Sequence, residues 1–195
     1  MKKYLSIMFI AVVAMVALIS CNKEINPVLM DFKVNDKQGQ LVSGGQPYKI
    51  VEVRGKSQKE LYNMVKSNIM KSYQNPKDVM SEDEPSTLVV NGYEEHFMLY
   101  DDIGTKNVSA SYTFTFEFKD GKIKVTPVIN FVSFEDVYGD EDWDFANFIN
   151  GALKRNEPTI PKKYKPEIQK AENIINTLLN VLLWSSIDKK EKDNW

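Results

Sequence analysis

The sequence predicts an α+β fold: an antiparallel β-sheet meander with one helix after its first strand, plus two C-terminal helices. Three observations carry that expectation. Two long strands joined at Asp120-Gly121 run from Val108 to Phe134, with an unbroken two-residue hydrophobic alternation on the way in; helical periodicity governs 57–73 and 166–187, and strand, helix and meander follow one another in α+β order.

The alternation is the organising stretch. Ala110, Tyr112, Phe114, Phe116 and Phe118 alternate with Ser109, Ser111, Thr113, Thr115 and Glu117, the pattern of a strand with one buried face. Asp120-Gly121 suits a two-residue type I′ turn, where both central residues take positive φ. That turn sets Lys119 opposite Lys122. Outward from it fall Phe118–Ile123, Phe116–Val125, Phe114–Pro127, Tyr112–Ile129 and Ala110–Phe131, each apolar on apolar. A one-residue slip would turn several of these side chains to solvent, each worth roughly 1.5–3 kcal/mol of burial. Pro127 has no N–H to give to a further strand, so the returning strand is expected to be a sheet edge, or bulged, near Pro127.

Upstream, Tyr48 to Val53 alternates in part and reads as the opening strand. Ser57-Gln58-Lys59-Glu60 is a capping box, and Leu61, Met64, Val65, Ile69 and Tyr73 follow at helical spacing until Asn75-Pro76 ends the helix. Asp78 to Glu82 reads as a short strand. Thr87 to Tyr93 and Glu95 to Tyr100 read as a strand pair around Asn91-Gly92. Downstream, Trp143, Phe145, Phe148, Ile149, Ala152 and Leu153 predict a helix over 142–154. A second, from Pro166 to about Ile187, carries the stripe Ile168, Ala171, Ile174, Ile175, Leu178, Leu179 and Leu182. Before Pro47, a short strand within Val28 to Val34 gives way to Ser43-Gly44-Gly45, which reads as linker.

Length and composition bound the rest. The 195 residues, 43% hydrophobic and 11% aromatic, suit one globular domain with appendages. A formal charge of −2 gives no electrostatic reason to expect a nucleic-acid partner. One cysteine and one histidine exclude a disulfide framework and any zinc site built from those residues alone.

At the N-terminus, Lys2 and Lys3 precede an apolar run from Leu5 to Ile19 that is shorter than the roughly 17–25 residues of a membrane-spanning helix. The run ends in Leu18-Ile19-Ser20-Cys21, which resembles the lipobox of bacterial lipoproteins. The resemblance implies cleavage before Cys21, lipid on its sulfur and its new amino group, and anchorage in the bacterial cell envelope. The outer membrane is the expected site. Several acyl chains hold a bilayer far more firmly than one. The organisation expected is a signal peptide over 1–20, a tether over 21–46, the α+β domain over 47–134 and a helical extension over 135–195.

The Tyr48–Val53 strand, the Ser57-Gln58-Lys59-Glu60-Leu61-Tyr62 helix start, Lys77-Asp78-Val79 and the strands Tyr112–Phe118 and Ile123–Phe131 carry a further resemblance. Residues 49–133 resemble the uncharacterised domain of Bacteroidetes lipoproteins with a TATA-binding-protein-like fold. That family brings no catalytic motif, and a fold name does not imply DNA binding.

Side chains that could carry chemistry are few. Glu94-Glu95-His96 holds the only histidine, on which any His-dependent acid–base catalysis would have to centre, but neighbours in a strand point to opposite faces. Glu135, Asp136, Asp140, Glu141, Asp142 and Asp144 cluster without the spacing of a calcium loop. Neither group is taken as catalytic or metal-binding, and no cofactor is expected. Two function classes stay open. One is a lipid-anchored module binding an envelope protein, a glycan or a small ligand. The other is an envelope enzyme using carboxylates or Ser/Thr. For the module, the expected interaction face is the one bearing Ser111, Thr113, Thr115, Thr126 and Val128.

Overall fold

The computed structural model describes residues 28–102, 104–136, 139–155 and 157–185. Its centre is the expected hairpin. Strand β6 (Gly104–Lys119) pairs with β7 (Lys122–Asp136), and Lys119–Lys122, Phe118–Ile123, Phe116–Val125, Phe114–Pro127 and Tyr112–Ile129 face one another as predicted. Gly121 takes φ 70° at the turn, where a side chain would be strained, but Asp120 does not take positive φ, so the turn is not the expected type I′.

Beyond Tyr112 the register changes. A bulge on β7 sets Ser111 opposite Phe131 and Ala110 opposite Val132, correcting the expected Ala110–Phe131 pair. The physical reason is parity. Ile129, Val132 and Phe134 are all buried, and an extra outward residue is needed between the first two to turn both inward. Phe131 is thereby turned to solvent, 53% exposed.

β3 (Lys49–Glu52), β4 (Met80–Asp83), β5 (Thr87–Asp102) and β8 (Gly139–Asp144) complete an antiparallel sheet. Its order is β3-β7-β6-β5-β4, with β8 also on β7. β3 pairs with residues 122–125 of β7 and β8 with residues 131–136, so β7 is unpaired on that side around Pro127. The expected edge is where the missing N–H put it.

Two further expectations are revised. Asn91-Gly92 is no turn, because β5 runs straight through it. Gly92 is needed for space: a Cβ there would lie 2.2 Å from Cζ of Tyr112, whose ring covers it. The predicted 142–154 helix begins later. Residues 139–144 are strand, Asp144 caps the turn Phe145–Asn147 by accepting from the Asn147 N–H, and a π-helix spans Phe148–Leu153. The alternation Glu141, Trp143 and Phe145 suits a strand as well as a helix, and β7 supplies a partner.

Helix α1 (Gln58–Ser72) starts at its capping box, where Ser57 accepts from the Glu60 N–H and Glu60 accepts from the Ser57 N–H. It buries Leu61, Tyr62, Val65 and Ile69 against the sheet. The short α2 (Pro76–Val79) leads into β4, and α3 (Phe145–Asn147) is the turn capped by Asp144. Helix α4 (Lys165–Trp184) packs on α1 and β5 and buries Ile168, Ala171, Ile175, Leu179, Leu182 and Leu183.

The segment 28–46, expected to belong to a tether, is folded. β1 (Lys33–Asn35) and β2 (Gln40–Val42) form a hairpin that buries Met30, Phe32, Val34 and Leu41 in the common core. Its main chain is held by one stripe of α4. Val34 N–H donates to Glu172, Phe32 N–H to Asn176, Met30 N–H to Asn180, and the Trp184 indole N–H to the Val28 carbonyl. Four helical residues rise about 6 Å and two strand residues about 6.7 Å, so an i, i+4 stripe can follow alternate residues of an extended chain. One hydrophobic cluster thus joins 28–46, the sheet and α4, without separate cores at 47–134 and 135–195.

Candidate functional site

The helices lie on one face of the sheet, over Val108, Ala110, Tyr112, Phe114, Phe116 and Phe118, all buried. The opposite face carries the predicted residues. Ser111, Thr113, Thr115 and Thr126 are half-buried between neighbouring side chains, and Val128 is 47% exposed. The structure brings all five together on two adjacent strands, β6 and β7.

It adds four residues that the sequence reading missed. Tyr93, Ser111 and Phe131 form one row across β5, β6 and β7, with Tyr93 57% exposed. Two strand spacings put the outer pair about 10 Å apart at the backbone. The floor between them is polar and already organised. Thr113 Oγ1 donates to Asn91 Oδ1 at 2.8 Å and accepts from Asn130 Nδ2 at 2.9 Å, while Ser111 Oγ accepts from the Phe131 N–H at 3.3 Å. Thr113 is therefore an orienting group, and the amides of Asn91 and Asn130 keep further hydrogen-bonding capacity. Tyr93 was legible as the outward partner of Asn91 in a continuous strand; Asn130 and Phe131 depend on the bulge.

The other candidates do not converge. His96 is exposed on the β5 bulge, where β5 places three residues between Glu94 and Met98 against one on β6. Glu94 faces the helices instead, lining a groove of about 510 Å³ with Lys170 and Ile174 of α4. In the acidic segment, Asp144 is a helix cap, Asp142 accepts from the Ser133 hydroxyl, and Glu141 accepts from the Trp143 indole N–H at 2.8 Å. Among the described residues, no three acidic, histidine or cysteine side chains are placed to hold a metal ion. Cys21 lies outside the described residues.

One ionisable cluster is well formed. Lys66 Nζ lies 2.6 Å from Glu82, which also accepts from the Tyr62 hydroxyl. The Lys66 hydrogen bond holds the Glu82 carboxyl below its ordinary range, and the same bond raises the Lys66 ammonium. Burial, then Glu82, raises the Tyr62 phenol. These shifts keep every group in its resting charge state, opposite to what proton transfer near neutral pH needs. The cluster ties α1 to β4.

The strand–helix–meander order, with α1 packed across the sheet and the long hairpin at its centre, defines the fold. Residues 48–130 match DUF4468, a domain of unknown function with a TBP-like fold. A TBP-like protein from Parabacteroides distasonis ATCC 8503 matches with a TM-score of 0.50 at 12% identity, over 73% of this chain and 91% of that one. A DUF4468 family protein from Bacteroides ovatus ATCC 8483 matches with a TM-score of 0.49 at 14% identity, over 82% of this chain and 93% of that one. No curated protein matches the sequence. The fold of this chain is TBP-like. The DUF4468 match begins at the residue before β3 and ends at the bulged Asn130 of β7. It spans most of the threonine-bearing face and leaves out β8 and α4.

Proposed function

We propose that the protein is a lipid-anchored binding module of the bacterial cell envelope that takes its ligand on the outward face of the sheet. The observation that carries this reading is the row Tyr93–Ser111–Phe131, which no helix among the described residues covers, above the Asn91–Thr113–Asn130 network. Exposed aromatic rings in line with organised amides and hydroxyls fit a ligand with apolar faces and polar edges. Envelope glycan strands have both. The Leu18-Ile19-Ser20-Cys21 motif supports the anchor. Seven peptide steps separate Cys21 from Val28, which at full extension holds the domain within about 25 Å of the bilayer.

Two experiments test this. Cys21→Ser is expected to abolish incorporation of labelled fatty acid and to release or strand the protein unprocessed; continued labelling defeats the anchor. Cosedimentation of the mature protein with purified envelope glycan is expected to be lost in Tyr93→Ser/Phe131→Ser with an unchanged melting temperature. Equal retention of that variant defeats the face.

A further inference from the structure

We infer that the end of the fold where the chain enters is a bilayer-contacting surface, on which Val28, Leu29 and Val181 rest against the lipid interface. The inference rests on the anchor proposed at Cys21 and adds to it a fixed contact of the folded domain.

Main-chain geometry builds the patch. Met30 N–H donates to Asn180 at 2.9 Å, and the Val28 carbonyl accepts from the Trp184 indole N–H at 3.1 Å, so residues 28–30 lie along one turn of α4. Val181 belongs to that turn, about 100° around the helix from Asn180 and about 60° from Trp184. Alternate residues Met30, Phe32 and Val34 are buried, which turns Leu29 outward. Leu29 is 66% exposed, the most exposed large apolar side chain among the described residues, and Val28 and Val181 are exposed with it.

Scattered apolar side chains on a surface mean little. What sets this end apart is that its polar groups already have partners inside the fold. The Leu29 carbonyl accepts from Lys49 Nζ at 2.9 Å, as the Val28 carbonyl does from Trp184. Lys49 also pairs with Asp31 at 2.9 Å, and Lys33 pairs with Glu172 at 2.8 Å. Entry into an apolar medium is costly chiefly for unpaired carbonyls and unpaired charges. Pressing Leu29 into the acyl boundary therefore strips little water from the main chain beside it. Because the charges are matched, the contact is apolar and insensitive to salt.

The leash selects the occupant. It enters the fold at Val28, seven peptide steps from Cys21, so the patch meets the bilayer at high effective concentration. Three side chains too few to hold a free domain on a membrane are then enough to orient a tethered one.

The test uses the acylated full chain in phosphatidylcholine vesicles, with a nitroxide on a cysteine introduced singly as Leu29→Cys, Val181→Cys or Lys165→Cys. Lys165 opens α4, about 28 Å along its axis from Trp184. Acylation occupies Cys21, so each introduced thiol is the free one. Collisions of the label with oxygen, which concentrates among acyl chains, are compared with collisions with a water-soluble nickel chelate. The labels at 29 and 181 are expected to favour oxygen and the label at 165 nickel, at low and high salt alike. Adding Leu29→Glu to Val181→Cys is expected to shift the docked-to-undocked ratio by about tenfold, the factor that burial of two-thirds of a leucine implies, with an unchanged melting temperature. Equal nickel collisions at 29, 181 and 165, in protein that floats with the vesicles, overturn the contact and leave the anchor standing. Protein that does not float defeats the anchor and the contact with it. Protection at 29 and 181 that disappears when the protein is diluted in lipid makes a second copy the occupant and overturns the bilayer.

Discussion

Gly92→Ala separates what the structure says of Gly92 from what its sequence neighbourhood suggests. In a turn at Asn91-Gly92, alanine would cost stability whatever the neighbours, because the penalty would come from φ. In the structure Gly92 lies inside β5 and the penalty comes from one ring: the added Cβ would sit 2.2–2.4 Å from Cζ, Oη and Cε2 of Tyr112. That ring has little room to yield. It is 3% exposed, stacks on Phe114 at 4.5 Å, and its hydroxyl lies 3.3 Å from that of Tyr73. Overpacking of this kind costs about 1–3 kcal/mol. Tyr112→Ala alone should cost about 3–5 kcal/mol, the range for losing a buried aromatic ring. In the Tyr112→Ala background the clash is gone, and Gly92→Ala should be neutral or stabilising by up to about 1 kcal/mol through the unfolded chain. The cycle should therefore show a coupling of about 1–3 kcal/mol by urea or thermal unfolding, a melting shift of roughly 2–4 °C per kcal/mol at this chain length. Equal penalties in both backgrounds would refute the packing argument and restore a turn.

Asn176→Ala removes both hydrogen bonds to the Phe32 main chain, at 2.8 and 3.0 Å, and leaves that buried backbone unpartnered. A loss of roughly 2–4 kcal/mol is expected, with proteolysis within 28–46 preceding global unfolding; wild-type stability and protection would show that the helix stripe holds nothing. The Asp31 carboxyl is held below its ordinary range by the Ser43 hydroxyl first and Lys49 next. Its unfolded form binds protons more readily, so its contribution is present above about pH 4 and lost as pH falls through the lower folded value. Asp31→Asn should flatten the acid limb of melting temperature against pH, and an unchanged limb would remove Asp31 from that account. Pro127→Val restores an N–H to the unpaired stretch of β7 and is expected to promote concentration-dependent association by light scattering; a variant as monodisperse as wild type would mean that the proline does not blunt the edge.

The central hairpin was legible because a two-residue turn and a strict alternation fix register together; Phe118, Phe116, Phe114 and Tyr112 met their expected partners. It failed from Phe131, where burial of Val132 and Phe134 needed a bulge that no local residue signals. The same shift hid part of the candidate face, since Phe131 reads as core until the extra residue is known. Val28 to Leu41 falls within the expected tether, despite its apolar residues, because its backbone partners lie about 140 residues away on α4. Glu172, Asn176 and Asn180, polar residues at i, i+4 beside the apolar stripe of α4, were the readable sign that something extended lies along it. Asn91-Gly92 misled because the pair is a strong turn signal, whereas the need for glycine arises from a ring on the next strand.

The bond between the Trp184 indole and the Val28 carbonyl has a mechanical meaning. It places the entry of the described chain against the last turn of α4, so the two ends of the fold share one attachment point. Tension on the N-terminal segment is delivered to a helix end and passes along the stripe Trp184, Asn180, Asn176 and Glu172 before it reaches β1. The row Tyr93–Ser111–Phe131 lies off that path, on strands joined to α4 through the core and by the Leu99 N–H bond to Glu167. Under the proposed anchor at Cys21, a pull on this end would load α4 before the surface proposed to take a ligand.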